Sequence, residues 1–392
     1  MLHFSFSTIF MALLTSSLLV CLIAFIFLHN KTMVCAGYQL LGIFIGLAVI
    51  RLFVPVEFPF TDNIPFTQML SEAIFFFRHP QIQILNAEFS IWNLFEAIWV
   101  IGIIFNLIRY VHQYFFTKNY ILKYGTEHTG EAVYKTILDN ICRQYNRKNN
   151  FHVVDLPDRD FPIIFGMKNP YIILPSDIPV MDDKLYYILY HEAMHHFYHD
   201  LLIKGIIRIL SIIYWWNPAF IVLYKQIDTI LEMRIDKKIT NNEFEITDSY
   251  AKCLLYMKRN AINHSSPSSF LKKNSCYLIQ SRNKDLKKRF YMLLWDDYTI
   301  SKKIFINIIL IAIVAGIYVS SYLFVLEADY CPPQIRENVF VPNSENTYFI
   351  ENNSSNYEVY INGFYIETID SLDSYPNGIK IYNKKGDFIN EN

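Results

Sequence analysis

None of the six cysteines in this 392-residue chain has CxxC spacing. Cys331 stands alone in the C-terminal segment, so an outer disulfide framework is excluded. The first apolar segment lacks a basic leader and a convincing small-residue cleavage site, which makes it an anchor and not a removed signal peptide. Net charge is also nearly absent, at −1, and decides nothing alone because opposite local balances cancel. What is abundant is apolar: 53% of residues are hydrophobic and 17% aromatic, with 32 Phe and 28 Tyr, a composition high for a soluble enzyme and ordinary for a membrane one.

Four segments, Phe6 to Leu28, Met33 to Val54, Ile91 to Ile108 and Ile304 to Leu326, approach the roughly 20 residues that a bilayer core requires. The third carries Asn93, Glu96 and Asn106, which should face other helices. Local charge orients the spans. Arg109 to Lys303 holds 28 basic against 20 acidic residues, Leu52 to Ser90 holds 1 against 4, and Glu327 to Asn392 holds 4 against 11. The basic segment belongs in the cytosol and both termini outside. Arg51, at the outer end of the second span, breaks this pattern, and snorkelling would accommodate it. The expected division is three spans with an outer loop at 55–90 (residues 1–108), a cytosolic domain (109–303), a fourth span (304–326) and a small β-rich outer tail (327–392).

One stretch specifies a reaction. In Tyr190-His191-Glu192-Ala193-Met194-His195-His196, a helix returns His191 and His195 to one face with Glu192 beside them. Two imidazoles can then hold zinc, which needs a third protein ligand and an open position for water, whose pKa falls to about 7 there. Glu192 is the general base. His195 with His199 is a rival i,i+4 pair, but it leaves Phe197 and Tyr198 where the base belongs. Downstream, an apolar limb to Trp216 and a return limb from Ala219 have lengths that permit a hairpin turning at Asn217-Pro218, which brings Glu232 back as third ligand. Asp236, one turn further, is placed to accept a hydrogen bond from the outer nitrogen of a ligand histidine. Residues 201–223 cannot cross a bilayer once, because His195 and Glu232 must meet one ion. They form either a buried or interfacial hairpin, with Lys204 and Arg208 on a polar flank and Trp215-Trp216 near the headgroup level, or the core of the zinc domain.

These residues, with Asp200, Tyr214-Trp215-Trp216-Asn217-Pro218, Arg51 to Pro55, Gly166 through Pro170 to Pro175 and Leu286-Lys287-Lys288-Arg289, resemble the BlaR/MecR-type integral-membrane zinc metallopeptidases over roughly Met1 to Leu326. The resemblance implies a mostly α membrane protein: four transmembrane helices, a cytosolic α+β gluzincin-like zinc peptidase domain, and here a small extracytoplasmic β module. It also implies Zn2+ as cofactor, a protein substrate of the BlaI/MecI repressor type with self-cleavage as a second event, contact with the lipid bilayer, and no direct nucleic-acid binding; a homodimer is compatible with it. Two departures stand out. Tyr198 occupies a place where relatives often carry arginine, which predicts a missing local salt bridge, and no penicillin-binding sensor segment follows the fourth span.

Two other function classes compete: a housekeeping membrane protease of the CAAX or heat-shock type, and a catalytically silent zinc-containing receptor. The Trp-Asn-Pro turn disfavours the first and an intact Glu192 the second. Before the motif, Glu131 to Cys142 reads as a helix, Phe151 to Val154 as a strand, and Phe161 to Phe165 with Tyr171 to Leu174 as two strands around a turn. That hairpin either offers an edge to an extended substrate or is simply packed. Asn263 to Ser269 reads as a linker, and the SxxK matches at Ser269 and Ser281 lack partner motifs. Asn362-Gly363 between alternating runs predicts a hairpin in the tail.

Overall fold

The computed structural model describes residues 6–56, 58–65, 73–74, 76–77, 82–84, 87–156, 161–175, 183–241, 243–263, 286–294, 300–327, 347–351, 356–361, 364–369, 372, 378–383 and 388–391. Residues 264–285, with both SxxK matches and Cys276, lie outside them, as do Cys331 and Asn362-Gly363. The chain forms two compact units, one of residues 1–64 with 91–326 and one of residues 65–90 with 327–392.

The larger unit is mostly helical. Among the described residues four helices are long and apolar enough to cross a membrane: α1 (Phe6–Leu28), α2 (Asn30–Phe53), α3 (Ile91–Tyr124) and the last helix of the unit, Ile300–Leu323. At 1.5 Å per residue the 34 residues of α3 span about 51 Å, well beyond a ~30 Å hydrocarbon core, so its second half extends past the expected span end at Ile108. Arg51 does not snorkel. It is fully buried, donating from Nε to Ser321 Oγ (3.0 Å) and from its terminal nitrogens to the carbonyls of Ser321 (2.9 Å) and Val54 (2.8 Å), with its guanidinium 4.1 Å from the Tyr322 ring centroid. Those acceptors satisfy its donors inside the bundle, which removes the need to reach water.

After α3 come β1 (Thr126–Glu127), α4 (Ala132–Gln144), β2 (His152–Leu156), β3 (Ile163–Phe165) and β4 (Tyr171–Pro175). The strands form a sheet in the order β1-β2-β4-β3, with β2 and β4 parallel and β3 antiparallel to β4. Gly166, at φ +96°, turns the chain between β3 and β4 where a side chain would meet the carbonyl of Asn169. Val153, Ile172 and Leu174 pack with Leu138 and Ile141 of α4 against Leu185, Ile188 and Leu189, the apolar stripe of α5 (Asp183–Phe197). One face of that helix is thereby fixed to the sheet.

The limb from His195 to Trp216 is interrupted. α5 stops at Phe197, His199 takes a left-handed conformation (φ 57°), and α6 (Asp200–Ile213) starts in a new direction. The return helix is α7 (Pro218–Thr240), capped by the Asn217 side chain accepting from the Ala219 amide at 3.0 Å, with Pro218 in the first turn where no amide partner is missed. α8 (Phe244–Asn263) and α9 (Leu286–Leu294) complete this layer ahead of α10 (Ile300–Leu323).

The tip of the α6–α7 hairpin is seated against α1 and α3. Asn217 Nδ2 donates to Ser17 Oγ of α1 (2.9 Å), Trp99 Nε1 of α3 donates to the carbonyl of Ile213 (2.8 Å), and the Trp215 indole lies so close to Gly102 that no Cβ fits there. Periodicity was unable to show this because a buried and an embedded apolar helix have the same pattern.

In the smaller unit, β5 (Thr347–Glu351), β6 (Tyr357–Ile361), β7 (Phe364–Ile369), β8 (Lys380–Asn383) and β9 (Phe388–Glu391) form one sheet in the order β7-β6-β5-β8-β9. β5 and β8 are parallel, whereas β5–β6, β6–β7 and β8–β9 are antiparallel. Phe349, Val359, Ile361, Ile379 and Ile381 form its core.

Candidate metal centre

The helices bring His191 and His195 of α5 and Glu232 of α7 to one buried point, with one ligand atom from each within 4.8 Å of the others. His191 Nε2 is 3.1 Å from His195 Nε2 and 3.1 Å from Glu232 Oε2, and His195 Nε2 is 3.3 Å from Glu232 Oε1. Ligand atoms held about 2.0–2.1 Å from a tetrahedral ion stand about 3.3–3.4 Å apart, so the donor set fits a zinc-sized cation. His199, the rival ligand, is exposed at the head of α6 and is not part of the cluster.

Each imidazole is aimed by its other nitrogen. On the His195 side, Nδ1–H donates to Asp200 Oδ2 at 2.7 Å, which leaves Nε2 with its lone pair toward the cluster. The break at His199 is what folds Asp200 back to this position. Arg234 of α7 forms an ion pair with Asp200 while its guanidinium lies 4.8 Å from the Tyr198 ring centroid. The salt bridge expected to be missing at Tyr198 is thus supplied from the facing helix.

On the His191 side the arrangement is longer. Asp236 does not take the direct hydrogen bond expected of it, since its Oδ1 is 3.7 Å from His191 Nδ1. The hydroxyl of Tyr250, on α8, stands between them at 2.7 Å from Nδ1 and 2.6 Å from Oδ1. Burial and the neighbouring Asp236 push the Tyr250 phenol far above its ordinary pKa, so it stays neutral with one proton to give. Asp236 receives that proton's hydrogen bond, and the phenol oxygen accepts from His191 Nδ1–H. Arg289 of α9 anchors the far end, with Nε and Nη2 both 2.6 Å from Asp236 and Nη1 3.0 Å from Glu232 Oε2. Burial would lower the Arg289 pKa, but Asp236 and Glu232 outweigh it and hold the guanidinium charged. Tyr250 carried no spacing signal in the sequence. Arg289 carried one only through the Leu286-Lys287-Lys288-Arg289 run.

Glu192 is 2% exposed and, with His195 and Glu232, lines a cavity of about 700 Å³. Its walls come from α3 (Tyr110, Tyr114, Lys118), the β3–β4 hairpin and α6. Lys204 lies in this cavity too: its ammonium is 2.5 Å from Asp228, one turn before Glu232 on α7.

Apolar helices of spanning length around a buried two-histidine, one-glutamate cluster give this chain the build of a membrane metallopeptidase. The profile of the BlaR1 peptidase M56 family matches residues 7–293, and the chain belongs to that family. Curated relatives include the regulatory protein BlaR1 of Bacillus licheniformis, 29% identical over 150 residues, a match covering 37% of this chain and 24% of that protein. BlaR1 of Staphylococcus aureus is 27% identical over 220 residues, covering 52% of this chain and 36% of the relative. The methicillin resistance mecR1 protein of S. aureus strain Mu50 is 30% identical over 146 residues, covering 35% and 23%. The chain thus spans between about a quarter and about a third of the length of these relatives.

Proposed function

We propose that the protein is a zinc metalloendopeptidase that cuts a cytosolic protein as the output step of a membrane signalling pathway. In this reading His191, His195 and Glu232 hold zinc, and the observation that carries it is their 3.1–3.3 Å convergence beside the cavity that Glu192 lines. Zinc, when bound, supplies a Lewis acid and lowers the pKa of water to about 7. Glu192 takes a proton from the attacking water and passes it to the leaving amine. Asp200 and the Tyr250–Asp236–Arg289 chain hold the two imidazoles in the ligating tautomer.

The substrate lies along β3. That strand pairs only with β4 among the described residues, and Ile163, Ile164 and Phe165 line the cavity that reaches Glu192, so its free edge supports strand addition by an extended peptide. A repressor of the BlaI/MecI type is the proposed target, with the peptidase face cytosolic and both termini outside, as the charge balance of the loops supports. The test measures zinc content and proteolysis of a BlaI/MecI-type repressor by wild type and Glu192→Ala. Retained metal with lost cleavage is expected; equal cleavage by the two proteins would overturn the assignment.

A further inference from the structure

We propose that Lys204 clamps the main chain of the substrate: its ammonium, held by Asp228, donates a hydrogen bond to the peptide carbonyl two residues away from the scissile one. This rests on the peptidase reading above and adds a substrate-binding residue to that site. Lys204 lines the same cavity as Glu192, His195 and Glu232, with 12% of its side chain exposed and its Nζ 2.5 Å from Asp228 Oδ1. Burial would lower the pKa of the ammonium, but Asp228 and then Glu232 outweigh it and keep the group charged. An ammonium carries three N–H donors. Among the described residues Asp228 is its ion-pair partner and takes one of them, so donors remain for a group that enters the cavity.

The spacing along the two helices fits this role. Asp200, which holds His195, and Lys204 are one turn apart on α6, and Glu232 and Asp228 are one turn apart on α7. The Lys204–Asp228 pair therefore lies about 6 Å along both helices from the groups of the metal cluster. β3 supplies a further wall of the cavity through Ile163, Ile164 and Phe165. A substrate strand added to β3 turns the N–H and C=O groups of alternate residues toward β3 and those of the others away from it. The scissile carbonyl belongs to the set turned away, toward the metal cluster, and the next carbonyl of that set lies two residues on, at about 6.6–6.8 Å. The helical step and the strand step agree to within about 1 Å, so one strand can present its reacting carbonyl to the cluster and a second carbonyl to Lys204. A carbonyl suits this donor better than a substrate carboxylate does. Asp228 offsets the charge of the ammonium, so a second anion meets a neutral pair, whereas a carbonyl needs only an N–H. Because every residue carries that carbonyl, the contact fixes where the chain lies without selecting a side chain.

The experiment measures binding, not turnover. It uses the full chain in detergent with Glu192→Gln, so that bound peptide stays uncut, and a peptide spanning the cleavage site of a BlaI/MecI-type repressor, with the scissile bond located from the wild-type products. Analogues carry one thioamide each, because sulfur accepts a hydrogen bond more weakly than oxygen, and dissociation constants are read by competition against a fluorescent copy. One thioamide, two residues from the scissile bond, should weaken binding about tenfold, and Lys204→Met should weaken binding of the parent peptide about 10–100-fold, the range of a hydrogen bond to a charged group. In Lys204→Met that thioamide should make no further difference; penalties that simply multiply overturn the proposal. Because Lys204→Met leaves Asp228 buried without its cation, Lys204→Met/Asp228→Leu is measured beside it, an apolar replacement of the kind that buried ion pairs commonly tolerate. It should bind as weakly as Lys204→Met, and binding restored to full strength would show that Lys204 only ties α6 to α7. A glutamate in the peptide that raises affinity only while Lys204 is present would make this a carboxylate site and overturn the carbonyl assignment. Binding indifferent to Lys204 ends the clamp alone; no binding of the peptide at all ends the peptidase reading and the clamp with it.

Discussion

The two histidines of the cluster sit one helical turn apart, yet the structure supports them in opposite ways. His195 is held by Asp200, five residues on, with Arg234 behind it. His191 is held by a line of side chains from three further helices, Tyr250, Asp236 and Arg289, that ends on Glu232. The first arrangement forms once α5 and α6 have turned at His199. The second exists only when α7, α8 and α9 have all packed, which makes the His191 half of the site a report on the tertiary structure of the whole layer. A change in the long line should therefore cost both folding and metal, and a change in the short one chiefly metal.

The strongest break in that contrast is Arg289→Met. It leaves Asp236 and Glu232 buried without their cation, and breaking a buried pair in this way costs about 3–5 kcal/mol. Chemical or thermal unfolding in detergent should show a loss of that order, with zinc binding lost alongside. A loss below about 1 kcal/mol would mean that the α9 contact is dispensable and that the two halves are alike.

Two matched substitutions sharpen the contrast. Tyr250→Phe removes the hydroxyl that joins His191 to Asp236 and leaves both without their partner, so zinc affinity should fall about 10–100-fold with about 1–3 kcal/mol of stability. Asp200→Asn keeps an oxygen that can accept from His195 Nδ1–H and loses only the charge. Its expected cost is at the low end, about tenfold in zinc affinity, with little change in unfolding. Competition titration of zinc against a chelator ranks the pair, and the reverse order would show the local support to be the dominant one.

The same contrast explains what was legible in the sequence. His191, Glu192 and His195 were readable because helical periodicity alone puts them together, and Glu232 because two limb lengths and one Asn-Pro turn sufficed to bring it back. Asp236 was found, but its role was misjudged by one hydroxyl: Tyr250 is one of 28 tyrosines and lies 59 residues beyond His191, where no local period connects them. The break at His199 was equally hidden, since a histidine in a left-handed conformation carries none of the glycine or proline marks that announce a turn. The seating of the α6–α7 hairpin against α3 required coordinates, because Gly102 shows its function only when the Trp215 ring is seen against it.

The smallest expected effect belongs to Arg234→Met, and it tests whether the short side is truly self-sufficient. Arg234 keeps 26% of its side chain exposed while Asp200 is wholly buried, so solvent screens the ion pair from one end. Partly exposed pairs of this sort are worth about 0.2–1 kcal/mol. Asp200 would still accept from His195 at 2.7 Å, and the Tyr198 ring would lose a cation it lies against without losing its packing on α5. Zinc affinity in Arg234→Met should therefore stay within about threefold of wild type, since a factor of three corresponds to less than the ~1 kcal/mol upper limit of such a pair. If the affinity instead drops as far as in Asp200→Asn, the aspartate depends on the facing helix for its position. His195, like His191, would then be held by tertiary packing, and the asymmetry between the two histidines would disappear.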